Sequence, residues 1–176
     1  FDIPSFVKSG LISNTVYSVY VRAVCSETSQ SAWVGPTNFT TLCDPFGDFN
    51  ENFDTTISGT GIVPNCWTKT VISTNVNADI NIISNIVASA PNAVYMTNST
   101  DTAAQIYMST PALTAIGANT HRLKFKARGG VNGQLLSVGT ISDPSDPSTY
   151  TELESISLTN AYFTYSVTFT TSTSAN

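Results

Sequence analysis

Charge is scarce in this sequence: only 11 % of its 176 residues are Asp, Glu, Lys or Arg, where about 25 % is usual. The balance is acidic, with 7 basic against 12 acidic side chains and a net charge of −5. That argues against a nucleic-acid ligand, which is held by Lys and Arg neutralising phosphates. Long apolar runs are missing too, and none approaches the roughly 18–20 residues of a membrane-crossing helix. Histidine occurs once, at His121. Without a second histidine or a Gly-x-Ser-x-Gly elbow, a catalytic triad has no support, and His121 reads as a plain surface or turn residue. The three cysteines, Cys25, Cys43 and Cys66, are too few for a small disulfide scaffold and show no CxxC or Cys/His spacing for zinc. No basic start or apolar h-region opens the sequence. Phe1 falls mid-pattern, and the natural chain is expected to extend upstream. No stretch holds an apolar period of about 3.6 residues, so no helix is expected.

Ser, Thr and Asn fill the place of the missing charges. Their short polar side chains compete for the backbone and disfavour helix, whereas Thr, Val, Ile, Tyr and Phe fit pleated strands. The fold class is therefore all-β. Over residues 17–24 one face carries Tyr17, Val19, Val21 and Ala23 and the other Tyr20, Arg22 and Val24, the period of a strand. A polar loop follows, then Gly35-Pro36, which belongs at a strand's start or edge because proline cannot donate to a ladder. Phe39, Thr40 and Thr41 continue the returning strand. Beyond a short turn at 43–48 the alternation restarts at 49–54 and again at 66–71. Further strands are expected at 79–83, 93–97, 105–108, 121–127, 135–141, 151–157 and 162–169, separated by Asn, Asp, Gly, Pro and Ser. Many short strands with such punctuation point to a sandwich or jelly roll.

Leu11, six residues before Tyr17, the run Val19-x-Val21-Arg22-Ala23-Val24, then Ser31-Ala32-Trp33 and Phe39-Thr40-Thr41 resemble the last strands of a fibronectin type III domain. The pattern Glu51-x-Phe53-Asp54, Pro64-x-Cys66-Trp67, Ser109-Thr110-Pro111, Leu123-x-Phe125-x-Ala127-Arg128-Gly129-Gly130 and Leu136-x-Val138-Gly139 resembles the jelly-roll modules of the cleaved-adhesin and MAM-like type. Such modules sit on large Bacteroidetes surface proteins exported by the type IX route. The resemblance implies a partial fibronectin type III sandwich at 1–42 and a jelly-roll-like β-sandwich at 43–176 that lacks its last strand.

Several site residues follow from the same likeness. Similar modules hold a structural calcium near their first and last strands, which points to Glu51 and Asp54 as ligands; the other reading is a polar strand face. They also pair cysteines at the positions of Cys43 and Cys66. A Cys25–Cys43 bond is disfavoured on separate grounds: the two lie at opposite ends of an expected hairpin, some 25 Å apart, beyond disulfide reach. Cys25 is then free or paired upstream. Asp54-Thr55-Thr56 and Asp101-Thr102-Ala103 match the Asp-Thr-x pattern of Bacteroidetes O-glycosylation, making Thr55 and Thr102 acceptors. Asn38-Phe39-Thr40 and Asn98-Ser99-Thr100 are N-glycosylation sequons where a host has that machinery.

No residue is expected to be catalytic. Glu152 and Glu154 lie along one solvated strand rather than facing across a cleft, and Asp143 and Asp146 belong to a turn. Trp33 and Trp67 are expected to pack in or near a core rather than to stack on sugars. The function expected is a secreted or cell-surface adhesin, or a carbohydrate- or substrate-binding accessory region, whose partners are surface glycans or proteins and the type IX export machinery. The alternative is a structural spacer that holds a distant catalytic domain.

Overall fold

The computed structural model describes residues 5–169. The chain is all-β: strands take up 41 % of it, and among the described residues no helix reaches seven residues. Among the described residues the helical turns are single 3-10 turns at Ile116–Ala118 and Pro147–Thr149. Residues 171–176, where the final strand of the resemblance would be missing, lie outside the described residues. The chain divides into two compact units, Phe1–Asp44 and Pro45–Asn176.

The first unit is an antiparallel hairpin of β1 (Val16–Val21) and β2 (Val34–Thr40). Tyr17 lies opposite Phe39 with their rings stacked at 5.9 Å, and the register slips between Val19 and Val21. Gly35 and Pro36 meet that slip. Gly35 has φ +137, and a Cβ there would stand 2.6 Å from the Val19 carbonyl oxygen, so only glycine fits. The Tyr17 hydroxyl accepts a bond from the Ile12 N–H at 2.9 Å, tying the incoming segment to the start of the strand. Trp33 departs from the expectation of a packed indole. It is 59 % exposed, with the Arg22 guanidinium 4.6 Å from its ring centroid, because the strands beneath it offer no core to enter.

The second unit holds β3 (Gly59–Thr60), β4 (Thr68–Ile72), β5 (Asp79–Ile83), β6 (Ala93–Thr97), β7 (Gln105–Ser109), β8 (Arg122–Ala127), β9 (Gln134–Ile141), β10 (Tyr150–Leu158) and β11 (Phe163–Thr168). Pairing is antiparallel and nested. The β9–β10 hairpin lies inside the β8–β11 pair, and the β5–β6 hairpin inside the β4–β7 pair, with β3 on the free side of β5. Alternation explains the packing. Leu123, Phe125 and Ala127 of β8, with Tyr165 and Val167 of β11, turn inward onto Val138, Ile156 and Leu158 of β9 and β10. An extra residue on β10, between Glu152 and Glu154, turns Leu153 to the same core. Ile80 and Ile82 bury the alternate positions of β5.

Two expected strands are not strands as drawn. Residues 49–54 form a loop, because its own side chains capture the backbone. Glu51 Oε1 accepts from the Phe53 N–H at 2.6 Å, Asn52 Oδ1 from the Asp54 N–H at 3.2 Å, and Phe53 takes φ 65. Cys66 likewise sits at φ 67, so the next strand starts at Thr68. Phe49 and Phe53 present their rings to Trp67 at 6.0 and 5.8 Å, which makes Trp67 the packed indole of the pair.

Cys43 and Cys66 form a disulfide, and Cys25 is free and exposed. The link closes the loop that carries Phe49, Phe53 and β3. Cross-linking such a loop removes denatured-state entropy, so reduction, or Cys66→Ser, should lower stability by roughly 3 kcal/mol. Urea unfolding with and without reductant measures this, and coincident midpoints would refute it.

Candidate functional site

On the outward face of the β9–β10 hairpin, Ser137 and Gly139 are neighbours two residues apart, with Glu152 opposite Gly139 and Tyr150 opposite Ile141. Tyr150 reaches across Gly139 so that its hydroxyl meets Ser137 Oγ at 2.6 Å, and Glu152 Oε2 accepts from the same Ser137 hydroxyl. The absence of a side chain at Gly139 makes this possible: a Cβ there would lie 2.7 Å from the Tyr150 ring and would also strike the Thr151 carbonyl. Tyr107 of β7 meets the Tyr150 ring edge-on at 5.5 Å, and its hydroxyl donates to Gln105 Oε1 at 3.4 Å. Burial pushes the Tyr150 hydroxyl above its ordinary pKa, with the Ser137 bond opposing, so the phenol keeps its proton at neutral pH. Two aromatic rings, a carboxylate, a hydroxyl and an amide thus share one half-exposed patch. Such a set can stack on an apolar ring face and hydrogen-bond the polar groups around it.

The residues singled out from sequence are placed elsewhere. Glu51 and Asp54 share the 51–56 loop, where Asp54 accepts from the Asn52 side-chain amide at 2.8 Å and from the Asn92 N–H at 3.4 Å. Asn92 also donates to the Phe53 and Thr56 carbonyls. Calcium takes six to eight oxygens, whereas both carboxylates here face N–H donors. Among the described residues no third Asp, Glu, His or Cys groups with them. Among the described residues, then, Glu51 and Asp54 serve the turn as acceptors of N–H groups.

Thr55 and Thr102 are both exposed. The aspartate before Thr102 is the most hydrogen-bonded acid in that region. The Ser73 hydroxyl, then the Thr74 and Ala103 N–H groups, hold Asp101 down to a pKa of about 2. His121 is more engaged than a plain surface histidine: Nε2 lies 2.9 Å from Asp48 Oδ1 and Nδ1 2.9 Å from Thr120 Oγ1. That line of hydroxyl, imidazole and carboxylate has the order of a nucleophilic relay. However, the Asp48 side chain is 83 % exposed, and a solvated pair of this kind is worth about 1 kcal/mol or less.

The chain matches no family model, no curated protein and no solved structure. Its functional reading therefore rests on the residues themselves. Sequence reasoning missed the Tyr107–Tyr150 patch. The usable signal was Gly139 in a strand, which marks a close approach by another group.

Two tests follow from this geometry. Gly139→Ala should cost roughly 1–3 kcal/mol by overpacking, measured by thermal or urea unfolding; a neutral variant would show that the Tyr150 ring does not lie across β9. The second is a pH dependence. Asp79, held low chiefly by its bond to Lys69, Asp101 and Asp143 all have folded pKa values below the ordinary aspartate value of about 3.9. Their contribution is fully present above about pH 4 and is lost as pH falls towards 2. Urea midpoints should decline through that window, and a flat profile would contradict the hydrogen bonds assigned.

Proposed function

We propose that this chain is a secreted, cell-surface adhesin or carbohydrate- or substrate-binding accessory region of a larger protein, without catalysis of its own. The observation that carries the proposal is the Tyr107–Tyr150–Ser137–Glu152 patch, which offers ring stacking beside a carboxylate already oriented by a hydroxyl. Other features support the setting. Nested antiparallel pairs are how jelly rolls are wound, and a tyrosine hydroxyl bonded to backbone just upstream is the corner device of fibronectin-like sandwiches. The disulfide fits an oxidising compartment, and exposed Thr55 and Thr102 suit O-glycosylation there. The partners in this reading are surface glycans or proteins, with the type IX machinery as the export route.

A glycan array probed with the whole chain tests this. Binding to a defined set of glycans is expected, lost in Tyr150→Ala and weakened in Glu152→Gln. Each lost contact should cost about 1–3 kcal/mol, roughly fivefold to 150-fold in Kd. Tyr95→Ala, on the exposed side of β6, should leave binding unchanged. A blank array with folded protein would instead favour a structural spacer holding a distant catalytic domain.

A further inference from the structure

Four of the seven cationic residues of this acidic chain fall within one seven-residue stretch: Arg122, Lys124, Lys126 and Arg128. Strand alternation sends the first three to the exposed face of β8, while Leu123, Phe125 and Ala127 pack inward. Alternate residues on a strand stand about 7 Å apart, so the three form a straight row of positive charge. Their cross-strand partners on β11 are Thr168, Ser166 and Thr164, all exposed hydroxyls. Arg128 extends the row, with its guanidinium 5.9 Å from the Tyr162 ring centroid. Among the described residues none of the three strand cations has an ion-pair partner; His121, next to Arg122, is the residue that meets Asp48, at 2.9 Å.

We propose that this outward face of the β8–β11 pair is a second binding surface, for an anionic polysaccharide. Charge complementarity selects the anion, since a cationic row in a chain of net charge −5 is a local field opposed to the whole. Screening over roughly 8–10 Å lets that local field govern at contact. The hydroxyl row beside it selects sugar over the other polyanions. Single-stranded nucleic acid would need aromatic platforms between the cations, and a lipid surface would need apolar side chains to insert. The three outward rungs carry neither. Lysines on a strand also discourage edge pairing, a role that by itself would give no salt-dependent binding to a polysaccharide. The surface is separate from the tyrosine patch, so either can fail without the other.

The test uses the whole chain against heparin and a polyuronate, with neutral dextran, an oligo-dT and anionic phospholipid vesicles as comparators. Binding to the two acidic polysaccharides and not to dextran is expected. It should weaken roughly tenfold or more as salt rises from about 50 to about 200 mM, and each lysine removed should lower the salt slope by about one. Lys124→Gln/Lys126→Gln should therefore bind weakly with a flattened slope. Lys8→Gln/Arg22→Gln, with the same change in net charge, should bind like the parent, and circular dichroism confirms that both variants fold. No polysaccharide binding at about 50 mM salt, equal weakening in the two double variants, or tighter binding to oligo-dT or vesicles would each overturn the proposal.

Discussion

The second unit depends on two ribbons burying their inward rows against each other. A two-stranded ribbon is marginal in water, and among the described residues neither β8–β11 nor β9–β10 has a third strand in its own sheet. What holds them is contact between Val167, 1 % exposed, and the row formed by Val138, Ile156 and Leu158. Each such side chain contributes about 1.5–3 kcal/mol when fully buried. A slip of one residue in either ribbon would expose that whole row. Once the inward rows are fixed, the outward rows are fixed as well. Tyr150, Ser137 and Glu152 on one ribbon, and Arg122, Lys124 and Lys126 on the other, are placed by the same alternation that makes the core.

Short polar side chains do for the turns what charge and helix caps do elsewhere. Asp101 alone gathers the Ser73 and Thr74 hydroxyls and the backbone of Thr74 and Ala103. Asn92 spans to two carbonyls of the 51–56 loop, and Asp143 and Asp146 each receive an N–H within their own turn. These bonds satisfy backbone groups that no ladder reaches, which is the accounting that buried or half-buried loops must meet. A chain built this way needs few ion pairs. Its low charge content and its wealth of Ser, Thr and Asn are one fact seen twice.

Strand positions were legible wherever alternation had a core on one side. Strands β5 and β6 fall on the expected 79–83 and 93–97, and β8 to β11 differ from their expected ranges by a residue at either end. The loop at 49–54 was misread because Phe49 and Phe53 imitate alternation, while Glu51, Asn52 and Asp54 turn the backbone through local bonds that a two-residue period cannot register. Trp33 was misread for the opposite reason: its sequence neighbours suggested packing, but it stands 59 % exposed with Arg22 over its ring. The tyrosine patch left one trace in the sequence, Gly139 within a strand; the rest was illegible because it joins β7 to β10, and no local pattern states which strands become neighbours. The cationic row was plain in the sequence, yet its meaning required knowing that Thr164, Ser166 and Thr168 stand beside it.

The two outward faces differ in kind, and that difference follows from how little charge the chain carries. In the proposed reading the Tyr107–Tyr150 patch acts through ring contact and neutral or singly charged hydrogen bonds at short range, interactions that salt scarcely alters. The β8 row, as proposed, acts through field, which salt screens within about 10 Å. In a protein crowded with charge, three cations would be paired off or lost in the background. Here Lys69 is held by Asp79 at 2.6 Å, while among the described residues Arg122, Lys124 and Lys126 have no ion-pair partner. Scarcity of charge leaves most cations without an acidic partner among the described residues, and the alternation of one strand gathers three of them on a single face.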